Sequence, residues 1–300
     1  MEQNNPDISI SIVSWNTRDL LDQCLESVYN TTKGIEFEVI VVDNASSDDS
    51  AMMVTAKYPQ VKLIQNNENV GFARANNQAY RISNGRHFML LNPDTIAVTD
   101  LSPIVEFLDN NAEVGVASCK CLNPDKSIQP NWYDYYPSFI WELLPEALRN
   151  LASKLIFNRN PSSNFATKWV GGQCMTVRRA CMDNVDGMDQ DFFMYSEETD
   201  LCFRIKKLGK KIMHFSGITI VHIGGQSTKS VQSKMLIELY RSKSHFIRKN
   251  FSNLHSKLFK MGLMIRTCLL RTVVSATGDR MNRSARINQL NELLNAIRDF

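Results

Sequence analysis

The sequence predicts an α/β protein, a doubly wound, mostly parallel sheet flanked by helices, followed by a basic helical extension. Three observations carry that class. Up to residue 91, short β-branched or apolar runs alternate with segments of helical period, joined by polar loops. The run Glu36–Val42 is apolar on successive residues toward its end, as suits a strand buried on both faces of a parallel sheet. Charge is also split. Residues 229–300 hold 14 Lys+Arg against 4 Asp+Glu and the preceding 228 hold 20 against 27, so a balance of +10 follows one of −7. That break predicts two domains, 1–228 and 229–300.

In chain order, Ile8–Val13 is a short β-branched strand. Asn16-Thr-Arg-Asp19 offers capping residues for a helix whose Leu20, Leu21, Leu25 and Val28 recur at helical spacing. The second strand, Glu36–Val42, ends in the polar loop Asp43–Ser50, which suits the cap of the next helix. Val61–Ile64 is a third strand, followed by Asn66–Gly71 and a helix through Arg81. His87–Leu91 is a fourth, stopped by Asn92-Pro-Asp94. From about Val114 the pattern changes, and residues 123–168 are rich in Pro, Trp and Tyr and weakly periodic, like a variable surface region. Trp169–Val177 reads as one strand with small residues where a ligand can lie close. After the acidic stretch Gly187–Asp200, Leu201–Leu208 forms an amphipathic helix ending at Gly209. Lys211–His214 and Ile218–Val221 read as two further strands, with His222 directly after the second.

Composition narrows the class. Three hundred residues with 43% hydrophobic and 22% charged content can bury a core, which excludes a disordered or collagen-like chain. Seven cysteines are scattered without a CxxC pair, and Cys119 with Cys121 lacks the spacing and partners of a zinc site. A reduced, cytoplasmic protein is the expectation. Met1–Asp7 is polar and does not resemble a signal peptide, and the apolar stretch Met261–Ala276 is broken by Arg266 and Arg271, against a transmembrane helix.

In doubly wound sheets, ligands bind outside the carboxyl ends of the strands. Ser14-Trp-Asn16, Asp43-Asn44, Asn69–Arg74 and Asn92-Pro-Asp94 all follow predicted strands, and four such loops on one edge look like a nucleotide site. Neither GxGxxG nor GxxxxGK[ST] occurs. Without a glycine cradle, a pyrophosphate needs another counter-charge, and a metal ion is the usual one.

The segments Ser11–Asn16, Val41–Asp48, Asn69–Asn76, Leu90–Asp94, Gly171-Gly172 and Phe192–Asp200, together with His222, resemble the inverting glycosyltransferases of family 2, most closely their rhamnosyltransferase-like members. The resemblance spans residues 8–228 and implies the GT-A fold, with a Rossmann-like sheet. It implies transfer of a sugar, rhamnose from dTDP-rhamnose, to a hydroxyl of a glycan or lipid-linked acceptor in O-antigen or capsule-type polysaccharide synthesis. Carried over residue by residue, it sets Ser14 and Asn16 against the nucleotide, Asp43 at the base or ribose, and Asn69 and Arg74 at the base and pyrophosphate. Asn92 and Asp94 match the two ends of the family's DxD motif. Asp94 and His222 would hold Mn2+ or Mg2+, with His222 tilting the choice toward manganese. Glu198 matches the general base, and Glu197, Asp200, Gly171 and Gly172 either line the acceptor side or support it.

Elementary chemistry agrees with those roles. Expelling a nucleoside diphosphate builds negative charge that a divalent ion stabilises, and a hydroxyl attacks well only when a carboxylate takes its proton. Glu197 beside Glu198 is a like-charge pair, expected to raise one pKa. Two departures stand out. Asn92 replaces the first Asp of DxD, and Glu198 is one methylene longer than the Asp usual there.

Plainer roles stand beside these. Asp43 could be a helix cap and Asp94 a turn residue. Glu197, Glu198 and Asp200 could form an acidic first turn that complements the helix dipole, and Arg204 could be a structural partner for an acid. A sugar nucleotidylyltransferase shares the layout but wants a Gly-rich basic loop that Ser11–Leu20 lacks. The non-enzyme alternative is a sugar-nucleotide or lipid-binding scaffold with a decayed site, hinted at by Asn92. In the tail, Lys249, Lys257, Lys260 and Arg271 share one helical sector. That reads either as a basic amphipathic surface for anionic lipid on the cytoplasmic face of the inner membrane or as a charged edge of helices packed on the catalytic domain. No nucleic-acid-binding module is present.

Overall fold

The computed structural model of the chain describes residues 5–144, 148, 151–152, 159–224, 232–277 and 280–300. The expected boundary at 228/229 lies within 225–231, outside the described residues. By packing, the chain forms two compact units, one of residues 1–135, 160–193 and 197–227 and one of 136–159, 194–196 and 228–300.

The first unit opens with β1 (Ile8–Ser14), α1 (Arg18–Thr31), β2 (Phe37–Asp43), α2 (Ser50–Lys57), β3 (Lys62–Gln65), α3 (Phe72–Ile82) and β4 (His87–Leu91), the alternation the hydrophobic pattern predicts. After β4 come β5 (Thr95–Ala97), α4 (Pro103–Asn110) and β6 (Val114–Leu122). The segment read as variable surface contributes β7 (Trp132–Tyr133) and β8 (Phe165–Thr167) here and α5 (Phe139–Leu143) to the second unit. The run Trp169–Val177 is not one strand. It breaks at Gly171-Gly172 into β9 (Trp169–Val170) and β10 (Cys174–Arg178), which belong to different sheets. Then follow α6 (Arg179–Asn184), α7 (Glu197–Lys207) and β11 (Lys211–His222). The two strands expected in 211–221 are one, with a register shift between His214 and Thr219 that absorbs the interruption.

The main sheet runs β3-β2-β1-β4-β10-β6-β11-β5, with β8 also on β11. Its β1–β2, β1–β4, β2–β3 and β6–β11 pairs are parallel. The antiparallel β10 is inserted between β4 and β6, so β4, β6 and β11 keep one direction and the sheet is mixed, mostly parallel. Strand alternation then sorts the core. Ile8, Ile10, Ile12, Val39, Val41, Met89 and Leu91 pack on one face with α1 and α4, and Val13, Ile40, Val42, Phe88 and Leu90 on the other with α3, α6 and α7. Covering both faces is why the strand sequences are so apolar. His87 and His214 lie within this framework, His87 against Asp109 (2.9 Å) and His214 against Phe165 and the Pro161 carbonyl.

The second unit comprises α5 with α8 (Gln232–Asn250), α9 (Asn253–Thr277) and α10 (Arg280–Ile297). Glu142 of α5 is buried and paired with Lys243 (2.8 Å) and Arg266 (3.5 Å). Losing either cation leaves a carboxylate uncompensated. Lys260, expected on the basic face, donates to the carbonyls of Arg298 and Phe300. Among the described residues, no helix is long and apolar enough to cross a membrane.

Candidate active site

Parallel strands bring their carboxyl ends to one edge, and sheet register brings together residues far apart in sequence. Ser14 is paired with Asp43 at the ends of β1 and β2. Cys174, opening β10, faces Leu91 at the end of β4, and the Asn92 amide donates to the Gln173 carbonyl (3.1 Å). The Gly171-Gly172 turn therefore lies at the same edge as Asn92-Pro-Asp94. His222 ends β11 opposite Thr95, and the Ile223 amide donates to the Asp94 carbonyl (3.0 Å).

Asp94 and His222 form the tightest corner of this edge. Both are largely buried, and His222 Nε2 lies 3.2 Å from Asp94 Oδ1 and 3.2 Å from Asn92 Nδ2. On its other side, His222 Nδ1 lies 2.7 Å from Gln129 Oε1. One carboxylate oxygen and one imidazole nitrogen about 3 Å apart match two adjacent ligands of an octahedral ion with bonds of about 2.1 Å. The donor set, one hard oxygen and one borderline nitrogen, fits Mn2+ better than Mg2+, which prefers oxygen throughout.

Asp43 is 4% exposed, and its Oδ2 accepts from the Ser46 amide (3.1 Å). Its Oδ1 is buried with no hydrogen-bond partner among the described residues. An orphaned carboxylate oxygen at a strand end is costly unless a ligand donor meets it. Asp43 does not cap α2. Asp48 binds the Ser50 amide and also takes the Arg18 amide, so one side chain ties the starts of α1 and α2. Thr17 makes no side-chain cap and its hydroxyl instead pairs with Ser14 (2.9 Å). Asn16, at φ 52, is exposed, and its side chain accepts from the Ser47 amide (2.8 Å), stitching the first loop to the second.

The third loop is braced by amides. Asn69 Oδ1 accepts from the Gly71 amide (3.0 Å) and Asn44 Nδ2 (3.2 Å), while Asn44 Oδ1 accepts from Asn66 Nδ2 (2.9 Å). Asn69 thus shapes the loop with its carbonyl. Gly71 has φ +85, and a Cβ there would lie 2.4 Å from the Phe193 carbonyl oxygen, which accepts from the Phe72 amide (2.8 Å). Only glycine permits that approach. Arg74 is exposed, and its Nε donates to the Gln190 carbonyl (3.3 Å).

Tyr195 (φ 70) and Ser196 (φ 65) precede α7, two successive left-handed residues whose backbone strain marks this turn. Glu197 and Asp200 are buried. Asp200 pairs with Arg204 Nε (2.6 Å), and Arg204 Nη1 binds the carbonyls of Val185 (2.7 Å) and Gly187 (2.8 Å). Asp200 therefore clamps the 185–187 turn to α7. Glu198 is half-buried, and its Oε2 has no hydrogen-bond partner among the described residues. Burial pushes its carboxyl up to about 7, against the lowering effect of a backbone hydrogen bond. Burial and then the Glu198 charge push the Tyr133 hydroxyl up to about 12, and the Tyr133 ring stacks on Trp169 at 3.8 Å.

Pattern alone gave no role of its own to Asn44, Gln129, Gln173 or the Tyr133–Trp169 stack. Gln173 Oε1 is a further buried acceptor at this edge without a partner among the described residues, and its only sequence signal was the adjoining Gly171-Gly172.

A mixed α/β sheet that gathers acids, amides and one histidine at its strand ends, without a glycine phosphate cradle, has the layout of a GT-A glycosyltransferase. The sequence profile described as glycosyl transferase family 2 matches residues 9–167, more than half of the 300 residues, and the chain belongs to that family. It is 24% identical over 237 residues to the rhamnosyltransferase WbbL of Escherichia coli (strain K12), covering 76% of this chain and 87% of that one. It is also 24% identical over 213 residues to an N-acetylglucosaminyl-diphospho-decaprenol L-rhamnosyltransferase of Mycobacterium tuberculosis (strain ATCC 25618 / H37Rv), covering 63% of this chain and 67% of that one. Among solved structures, the mannosyltransferase PcManGT of Pyrobaculum calidifontis, in complex with GDP-Man and Mn2+, shares the fold with a TM-score of 0.62 at 15% identity, over 99% of this chain and 87% of that one.

Proposed function

We propose that the protein transfers a deoxysugar, rhamnose from dTDP-rhamnose, to a hydroxyl of a glycan or lipid-linked saccharide during cell-surface polysaccharide synthesis. The observation that carries metal-assisted transfer is the Asp94–His222 pair at 3.2 Å on the strand-end edge, and the likeness to rhamnosyltransferases supports the choice of sugar. The orphaned Asp43 Oδ1 and Glu198 Oε2 support it. Asp43 accepts from the base or ribose, and Ser14, Asn16, Asn69 and Arg74 form the nucleotide side of the site. Asp94 and His222 would hold Mn2+ or Mg2+, with Asn92 beside them. A divalent ion there supplies a Lewis acid for the departing diphosphate. Glu198 takes the proton of the acceptor hydroxyl as its oxygen bonds to the anomeric carbon and the sugar–diphosphate bond breaks on the opposite face, so configuration inverts. Glu197 supports that carboxylate, and Gly171 and Gly172 leave room for the sugar.

A thermal-shift panel of dTDP, UDP, GDP and ADP, each with Mn2+ or with EDTA, tests the donor. At 100 times its Kd a ligand adds about 2.7 kcal/mol, and dTDP with Mn2+ is expected to stabilise most. Stabilisation by another nucleotide would replace the donor, and none by any would remove the nucleotide site.

The reading extends to a peripheral position on the cytoplasmic face of the membrane. Leu254, Met261, Ile265, Leu269 and Val273 of α9 are 42–63% exposed and recur on one side of the helix, with Lys257 and Arg271 on its flank. Interfacial helices combine such an apolar face with cations, each worth about 1 kcal/mol at an anionic surface. The full chain is expected to co-sediment with anionic but not zwitterionic vesicles, and Ile265→Asp/Leu269→Asp to lose it. Equal sedimentation of that folded variant would sink the membrane role.

A further inference from the structure

Gln129 stands 93 positions before His222 and belongs to no motif. A tight hairpin delivers it. The Gln129 amide donates to the Cys121 carbonyl (2.9 Å), Leu122 bridges Ile128, and the turn closes through Asn123 and Ser127. The half-buried side chain then makes contacts that allow one orientation. Its Nε2 lies 3.3 Å from the backbone carbonyl of His222 and 2.8 Å from Asn123 Oδ1. A backbone carbonyl can only accept, so that end must be the NH2 group, and Oε1 is the end facing His222 Nδ1 at 2.7 Å. Cys121 Sγ lies 3.2 Å from the same Oε1, and burial pushes that thiol up to about 12, so it stays a donor there. An acceptor against Nδ1 requires Nδ1–H. In the neutral ring Nε2 then carries the lone pair, 3.2 Å from Asp94 Oδ1 and facing the donor Asn92 Nδ2.

We propose that Gln129 is a positioning residue for the Asp94–His222 corner, fixing His222 in the Nδ1–H tautomer so that Nε2 presents its lone pair beside Asp94. Its role in metal uptake rests on the metal-assisted transfer proposed above, whereas the proton on Nδ1 follows from the Gln129 contact alone. Outer partners of metal-bound histidines act this way, and losing one weakens affinity about 10- to 100-fold. The inference also accounts for Asn92 in place of an acid. An amide donor at 92 offsets the repulsion between the Nε2 lone pair and Asp94 when no ion does, where a second carboxylate would add to it.

Two measurements on the full chain test this. Long-range 1H–15N NMR of the metal-free wild type reads the His222 tautomer directly, with Nδ1–H expected. Titration with Mn2+ alone, followed by the EPR signal of free Mn2+, compares wild type with Gln129→Leu and Gln129→Glu. The Leu variant is expected to lose the Nδ1–H preference and to bind Mn2+ about 10- to 100-fold more weakly. The Glu variant keeps an acceptor at Nδ1 but loses the NH2 donor to the His222 carbonyl and Asn123 Oδ1, so it is expected to keep the Nδ1–H preference and to bind Mn2+ more tightly than the Leu variant. An Nε2–H tautomer in the wild type overturns the inference, as does a folded Leu variant with wild-type affinity. A wild type with the Nδ1–H tautomer that takes up no Mn2+ overturns the metal reading of the corner, and the role of Gln129 in it falls too.

Discussion

Glu198→Gln is expected to lower turnover by about 10²–10⁴-fold, the usual worth of a general base, while Mn2+-dependent stabilisation by the nucleoside diphosphate is retained. The amide keeps the shape of the carboxylate and removes its ability to accept a proton. Burial sets the pH dependence. With its carboxyl at about 7 in the folded chain, Glu198 must lose its proton to act, so wild-type turnover is expected to rise with pH through about 7 and then level off. Stability runs the other way. The folded pKa lies above the ordinary value of 4.5, so between those two pH values the folded chain holds the proton more tightly than the unfolded one. Stability then falls as pH rises, and the deficit is complete above about 7. Removing the charge relieves a cost of up to about 3 kcal/mol at 1.36 kcal/mol per pKa unit. Glu198→Gln is therefore expected to melt higher than wild type at pH 8, with no difference near pH 4.5. A purely structural carboxylate would not lose turnover while gaining stability. Unchanged turnover in the variant would remove Glu198 as the base.

This pairing of lost function with gained stability belongs to a group held in an unfavourable place. The same tension runs along the strand-end edge, where Asp43 Oδ1, Gln173 Oε1 and Glu198 Oε2 are acceptors without partners among the described residues. Asp200 is the contrast. It sits two residues from Glu198, yet its charge is answered by Arg204 and it serves the packing of α7. The sequence shows three acids in one helical turn, and burial and partners divide them.

What was legible in the sequence was what local pattern decides. The strands β1, β2 and β4 are largely apolar, and all four are short and end in polar loops, while α1 and α3 carry their period openly. The other half of the sheet is decided from a distance. Val114–Leu122 includes Gly, Ser and Lys and becomes a strand because β10 and β11 pair with it on either side. β10 itself enters antiparallel because Gly171-Gly172 turns the chain after β9, and nothing in Trp169–Val177 marks that turn beyond the two glycines. The site follows the same division. Ser14, Asp43 and Asp94 were visible because each directly follows a readable strand. Gln129 was not, because its chemistry consists in lying opposite a histidine whose own strand has a register shift. Asn44 was read only as part of a loop, and its bonds to Asn66, Asn69 and Gly71 appear once two loops share an edge.

Asp94→Asn is expected to abolish metal-dependent transfer without harming the fold. The backbone of Asp94 holds Ile223 through its carbonyl, and the amide variant keeps that bond and nearly the same volume. The only charge lost is the one beside His222 Nε2. If an ion there offsets charge on the leaving diphosphate, its loss removes several kcal/mol of transition-state stabilisation. At 1.36 kcal/mol per tenfold, that is a fall in turnover of about 10³-fold or more. Mn2+ is expected to lose its effect on nucleotide binding in this variant, as it does in EDTA with the wild type. The metal-free melting temperature is expected to stay at or above the wild-type value, because a lone pair facing a carboxylate at 3.2 Å is replaced by one facing an amide that can donate. Losing turnover through unfolding would also lower that temperature, so the two measurements together separate a ligand from a structural acid. An Asp94→Asn chain that still transfers sugar in a Mn2+-dependent way would take Asp94 out of the metal site, and a His222→Ala chain behaving alike would empty the corner of its chemistry.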